Sequence, residues 1–321
     1  MRNPMFDVLK GLGIISVVFS HVYRGGTDPL AVFIRELAMW SVPMFFMVQG
    51  HFMQSGLQKG WLTSSWDKIK KSYIPYLYWA VAYGVFYYIT IGKTFTIMDL
   101  ILGKTALHLY YMFYYIIFAV FFPLLYFLPK IWRVIILWLL ILENIYWLVM
   151  LELSHIYHFH WISYSGPVPM KWWGFIAVGM LVAEYPQIKD YICKHTKAFL
   201  AGGLAVAAIG IIIPYGLHIT GLLFNKVEIF PLSIGLTLAL AIYYSTDNAL
   251  GKKTLAYIGE RTFGIYLAHF FLVDYLRNTL LPGDRTLVVI IILVVCIVVK
   301  DNKDRIKAAW AAKRNGANLA S

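Results

Sequence analysis

Cysteine is almost missing from this chain. Of 321 residues only Cys193 and Cys296 are cysteine, one in a basic stretch and one in an apolar run, so the sequence offers no disulfide framework. Charge is nearly as scarce: Asp, Glu, Lys and Arg make up 14% of the residues, against 60% hydrophobic and 17% aromatic ones. With a mean hydropathy of +0.67, an ordinary soluble domain of this size is excluded. Polar stretches long enough to form a separate soluble domain are lacking as well. What fills the length is a succession of apolar runs, each near the roughly 20 residues a helix needs to cross hydrocarbon.

These runs lie near residues 6–23, 38–54, 73–91, 109–128, 131–151, 170–184, 198–217, 227–245, 255–276 and 286–300. The expected fold is therefore all-α, a polytopic membrane helix bundle of about ten transmembrane helices. Gly and Pro clusters punctuate it, among them "RGGTDP", "LPK", "SGPVP" and "LPGDR". The first run follows Arg2 as a signal peptide would, but Lys10 interrupts it and "SHVYRGG" lacks a small-residue cleavage pattern, so it reads as a retained helix.

Acidic residues number 16 against 28 basic ones, a formal net charge of +12. Such a balance suits nucleic acid, yet the basic residues sit in short segments between apolar runs, where they set membrane orientation. One alternating set of loops carries Arg2, Lys59, Lys68, Lys70, Lys71, Lys130, Arg133, Lys189, Lys194, Lys197, Lys252, Lys253 and the tail "KDNKDRIKAAWAAKR". The other carries Arg24, Arg35, Lys93, Lys104, Lys171, Lys226, Arg277 and Arg285. The asymmetry puts both termini in the cytoplasm and divides the chain into a membrane domain, 1–300, and a basic cytoplasmic tail, 301–321. Residues 93–108 read as too short and polar to cross, and the tail as an interfacial helix or a solvated segment.

Polar side chains inside apolar runs are costly and mark function by default. In the first run Asp7, Lys10, Ile14, Val17 and His21 are spaced three, four, three and four apart, which stacks them on one helical face. Lys10 and His21 then stand about 16 Å apart along the axis. A histidine at such a depth is suited to take a proton from a hydroxyl, and a lysine near the inner end to hold an anion. The plainer alternative has Asp7 and Lys10 pairing with each other and His21 satisfying a neighbouring helix.

Taken together, the motifs resemble the integral-membrane acyltransferase family 3. "KGLGIISVVFSH" is similar to its Arg/Lys, ten residues, His pattern, with Lys10 and His21 in those places. "SVPMFFMVQGHF" (41–52) resembles V-P-x-F-F-x-x-S-G-F, and "KIKKSYIPYLYW" (68–79) resembles a basic R-x-x-R followed by a proline-containing helix. "HLYYMFYY" from His108 is similar to H-L-W-F-L, "WGFIAVGMLV" from Trp173 to F-x-x-G-x-L, and "IGERTFGIYLAHFF" from Ile258 to G-x-x-S-x-x-I-Y-L-x-H. The sequence departs from the pattern where Gln49 replaces serine, His51 an aromatic, lysine arginine, and Tyr110 tryptophan. Lysine keeps the charge but loses the bidentate geometry of arginine.

The resemblance implies a multi-pass enzyme of the inner or plasma membrane. Its reaction would move an acyl group, acetyl first among them, from cytoplasmic acetyl-CoA to a hydroxyl of a cell-surface polysaccharide or its lipid-linked sugar precursor. Lys10, Lys68, Lys70 and Lys71 would meet the donor's phosphates, and Gln49, His108 and Tyr110 the substrate. His21 would act as general base in a direct transfer, with nearby donors stabilising the oxyanion. A covalent route through Tyr266, a serine or His21 itself is the competing mechanism. Glu143 in "LILENIYW" is placed to orient His21 or the acceptor, or else to bond a neighbouring helix. His269 follows Tyr266 by three residues on one face, and both are assigned to the catalytic group.

His155, His158 and His160 stand among aromatics in "HIYHFHWISY", but no acidic or cysteine partner accompanies them and no metal is expected. Asp274, Glu228 and Glu184 fall near run ends and read as solvated. The expected partners are membrane lipid, acyl-CoA and a saccharide acceptor, not nucleic acid; the oligomeric state is unspecified. A polytopic transporter of a polar solute is the rival reading, although no inverted repeat with matched broken helices is visible.

Overall fold

The structure is a computed structural model, and it describes residues 4–57, 60–157, 169–216, 224, 226–246, 248–276 and 284–318. Among the described residues every regular element is helical. In chain order α1 covers Pro4–Val22, α2 Pro29–Ala38 and α3 Ser41–His51, followed by the short α4, Met53–Gly56. Only Met39 and Trp40 separate α2 from α3, so the second crossing starts earlier than the hydrophobic run implies and spans Pro29–His51. Asp28 caps α2 by accepting a hydrogen bond from the Ala31 amide at 2.8 Å, and Pro29 follows at a position where its missing N–H costs nothing.

α5, Trp61–Lys68, passes through a π-helical turn at Ile69–Tyr73 into α6, Ile74–Ile91. Pro75 explains the widened turn: with no N–H to offer the carbonyl four residues back, it breaks the ladder, and the Ile74 amide instead reaches the carbonyl of Ile69. α7 is the short Ile97–Ile101, in the segment expected not to cross. α8 covers Tyr110–Phe121, α9 Lys130–Ile156, α10 Met170–Glu184, α11 Gln187–Lys194, α12 Thr196–Gly216 and α13 Ile229–Ser245. The ninth apolar run is broken at Arg261 into α14, Lys252–Glu260, and α15, Thr262–Tyr275. α16, Arg285–Asn318, continues without interruption from the last apolar run into the basic tail.

Five helical stretches among the described residues are long and apolar enough to cross a membrane: Pro4–Val22, Pro29–His51, Trp61–Ile91, Leu107–Phe127 and Lys130–Ile156. Thr196–Ile212 and Ile229–Ser245 are shorter apolar stretches. α9 shows what kind of surroundings the bundle is built for. Ile131, Ile135, Trp138, Leu142 and Tyr146 form an exposed apolar stripe, while Arg133, Asn144 and Glu152 point inward. In water this distribution would be inverted; in lipid it is the stable one.

The three inward polar groups of α9 are matched. Arg133 donates to both carboxylate oxygens of Glu184, at 2.6 and 3.1 Å. The Asn144 side chain accepts from the Gly174 amide and donates to the Lys171 carbonyl, and Glu152 accepts from the Val227 amide. Lys226 is buried against Glu36. The expectation that Glu184 and Glu228 are solvated is therefore wrong: both are buried. Asp274 likewise accepts a hydrogen bond from the Tyr87 hydroxyl. Lys226 and Arg133, counted among loop charges, belong to the interior too. Nearness to the end of an apolar run says how deep a residue lies, not which neighbour it faces.

Without water between helices, close approach depends on small residues. α1 lies on α14 where Gly11 and Gly259 face each other's backbone: a Cβ on Gly259 would collide with the Asp7 carbonyl, and one on Gly11 with that of Leu255. Gly179 on α10 and Gly50 on α3 do the same for a second pair. These two contacts hold α1 and α3 against the rest of the core around Phe46, Tyr83, Trp172 and Ile265.

Candidate active site

A cavity of about 490 Å³ opens between α1, α3, α8 and the α14–α15 corner. The α1 stripe forms one wall, with Lys10, Ile14, Val17 and His21 all lining it. Asp7 lies just beyond: it is buried and holds the Lys10 ammonium at 2.6 Å, so the first helix carries its acid as a partner for its base. The Thr262 hydroxyl, at the start of α15, stands 2.8 Å from the Gly259 carbonyl and 3.3 Å from that of Lys10.

That corner is clamped from outside. Arg261 packs its guanidinium 3.4 Å over the Tyr257 ring and donates to Asp301 on α16 at 2.6 Å. The hydrogen bond from the Tyr257 hydroxyl, then that from Arg261, hold the Asp301 carboxyl below its ordinary range. The clamp sets the break between α14 and α15, and with it the positions of Glu260 and Thr262 on the cavity wall.

At the other end of the stripe three imidazoles converge. The ring of His21 lies 5.3 Å from His269, 6.3 Å from His108 and 5.0 Å from Phe270, centre to centre. His108 and His269 are 4.9 Å apart, and both are buried. His269 Nδ1 sits 2.7 Å from the Tyr266 carbonyl and 3.2 Å from that of Ile265. A carbonyl only accepts, so Nδ1 carries the proton and Nε2, which has no hydrogen-bond partner, presents a lone pair in the neutral ring. Neither nitrogen of His108 has a partner. The Tyr266 hydroxyl is engaged, donating to the His108 carbonyl at 2.6 Å.

Seven of the residues singled out in the sequence therefore share one cavity: Lys10, His21, Gln49, Lys68, His108, Tyr110 and Tyr266. Gln49 donates its amide to the Tyr115 carbonyl at 2.8 Å and leaves its own oxygen unpaired, while Tyr110 stacks on Trp172. His269 stands directly behind His21, off the cavity wall. Lys70 and Lys71 are exposed on the far side of the π turn, Lys70 over the Trp66 ring, and do not line the cavity. Glu143 is also elsewhere, on α9, where it accepts a hydrogen bond from Trp147 at 3.4 Å.

Arg24, Ser72, Tyr111 and Tyr115 line the cavity without having been singled out. For Arg24 the signal is in the spacing, since it extends the 10, 14, 17, 21 series by three. The others come from a π turn and a tyrosine-rich helix, whose facing sides no periodicity reveals. Among the described residues no group of three or more His, Cys, Asp or Glu side chains is arranged to hold a metal ion. His158 and His160 lie outside the described residues, and His155 is exposed at the end of α9.

The arrangement provides a cation at one end, an apolar middle and imidazoles at the other end of a single cavity. No curated protein and no solved structure matches this chain. A family model does: the one described as an acyltransferase domain matches residues 3–300, and the chain belongs to that family, acyltransferase family 3.

Proposed function

We propose that this membrane acyltransferase moves an acetyl group from cytoplasmic acetyl-CoA to a hydroxyl of a cell-surface polysaccharide or its lipid-linked precursor. It does so as a multi-pass protein of the inner or plasma membrane, with about ten crossings and both termini in the cytoplasm. The observation that carries the reading is that Lys10 and His21 line one cavity from opposite ends of a single helix face. Their separation along α1 is about 16 Å. The wall between them, with Ile14, Val17, Val42 and Phe45, is apolar and suits an uncharged arm between a phosphate group and a thioester.

Lys10 and Lys68 meet the donor's phosphates as charge-assisted hydrogen-bond donors. The donor supplies an activated acyl carbon and a thiolate leaving group. His21 removes the proton of the acceptor hydroxyl as its oxygen bonds to that carbon; the carbon–sulfur bond breaks, and the proton passes from His21 to the departing sulfur. His269 positions His21. Its Nδ1–H is tied to backbone carbonyls, so its Nε2 lone pair is free to accept from the His21 N–H and to steady the imidazolium that forms. The engaged Tyr266 hydroxyl supports direct transfer over a tyrosyl acyl-enzyme.

The test is mass spectrometry of surface glycans from a deletion strain, complemented with the wild type or with His21→Ala. An acyl mass lost on deletion, restored by the wild type and not by His21→Ala, is expected. Glycans of unchanged mass in the deletion strain would overturn the reading.

A further inference from the structure

Resting on the reading just given, we infer that the acceptor is an anionic saccharide and that Arg24 binds its carboxylate or phosphate. Arg24 lies one turn past His21 on the same stripe and lines the same cavity. Its backbone amide donates to the His21 carbonyl at 3.3 Å, so the turn that carries it is continuous with α1. Gly25, with φ of 77°, ends that turn in a conformation which side chains rarely adopt and directs the chain away.

Four of the other arginines are paired with carboxylates. Arg133 faces Glu184 at 2.6 Å, Arg261 faces Asp301 at 2.6 Å, Arg285 faces Asp28 at 2.7 Å and Arg35 faces Glu36 at 3.9 Å. Among the described residues Arg24 has no carboxylate within 4 Å. Asp28 pairs with Arg285 and caps α2, and Asp274 accepts from the Tyr87 hydroxyl. A cation at the end of α1 is also favoured by the helix dipole, but that would hold equally for a side chain turned away from the cavity.

A guanidinium on a cavity wall presents a planar fork of donors that matches a carboxylate or phosphate. The three-residue offset puts Arg24 about 4.5 Å along the axis from His21. That is the scale of one sugar ring, so the anion belongs on the acylated sugar or on its neighbour. Arg24 is exposed at the mouth of the site, where water solvates it until an anion arrives, and a neutral glycan would gain no charge-assisted bond there.

The experiment uses the deletion strain with the wild type, His21→Ala, Arg24→Gln and Arg24→Lys, reading both the acyl content and the chemistry of the acylated repeat, with membrane levels checked by immunoblot. We expect Arg24→Gln to lower acylation at least about tenfold, the scale of a lost charge-assisted bond, and Arg24→Lys to restore part of it. The acylated sugar or its neighbour should carry a uronate carboxylate or a phosphate, and the fragment mass tells these apart. Wild-type acylation by Arg24→Gln, or an acylated repeat that is neutral at both sugars, would overturn the inference while leaving the acyltransferase reading intact. If deletion changes no acyl mass, both fall. Should Arg24→Gln be missing from the membrane, the charge of the acylated repeat decides alone.

Discussion

His269 stands 5.3 Å from His21, ring centre to ring centre, with its Nδ1 proton fixed on the Tyr266 carbonyl at 2.7 Å. In the proposed mechanism the pair would do the work that a carboxylate and a histidine do in many hydrolytic sites, with a neutral ring in place of the anion. Burial favours this choice, because an uncompensated carboxylate is expensive where His269 lies and a neutral imidazole is not.

Removing the base and removing its support should differ in kind. His21→Ala is expected to lower transfer by about 10² to 10⁴-fold, the usual range for a lost general base. His269→Gln should lower kcat about tenfold or more while the acyl-CoA KM stays put, since it acts through His21. Steady-state transfer in membranes checks this; a raised KM with unchanged kcat would count against the positioning role.

The lysines divide by where they point. Lys10→Ala and Lys68→Ala should raise the acyl-CoA KM by about tenfold, the loss of one charge-assisted contact. The double change Lys70→Ala and Lys71→Ala, on exposed side chains, should stay within about twofold. An equal effect of the two sets would show that the basic cluster acts as a diffuse field.

Arg133 and Glu184 test the interior. Glu184→Ala leaves a buried guanidinium unpaired and should cost about 3–5 kcal/mol, whereas the double change Arg133→Met and Glu184→Leu should recover most of it. Thermal unfolding in detergent reads the difference. A small loss in the single variant would mean that water reaches the pair.

Gly179→Val should destabilise by at least about 2 kcal/mol, since its side chain has to displace the Met47 backbone. Gly202→Ala, where open space surrounds the new methyl group, is the control and should be neutral or slightly stabilising. Matched unfolding curves of the two variants would disprove the close-packing account.

The α2 cap should survive mild acid. The Ala31 amide first, and Arg285 second, hold the Asp28 carboxyl below its ordinary value of 3.8. A lowered folded value means that the contribution is complete above 3.8 and is lost as pH falls through the still lower folded value. Hydrogen-exchange protection of the Ala31 amide, corrected for intrinsic rates, should persist to below pH 3.8 and then fade.

How far the sequence could be read depends on what each feature rests on. Apolar runs and their lengths alone imply a helical membrane bundle, because lipid leaves the backbone few other ways to satisfy its hydrogen bonds. The stripe from Lys10 to His21 is equally legible, since helical spacing places those side chains on one face whatever surrounds them. Local sequence also contains the causes of the π turn at Pro75 and of the α2 cap at Asp28.

Which partner each face meets is decided only in three dimensions. Glu184 looks like a solvated end residue until α10 brings it to Arg133, and Glu143 looks like a site residue until the packing of α9 leaves it off the cavity wall. Lys68 and Lys71 are equivalent as letters, yet the π turn sends one to the cavity and the other to the surface. His108, in the turn just before α8, His269 on α15 and His21 on α1 lie far apart in the chain and meet only in the folded bundle. Periodicity fixes direction within a helix; contacts between helices depend on close approach at glycines such as Gly259 and Gly179, whose partners are distant in sequence.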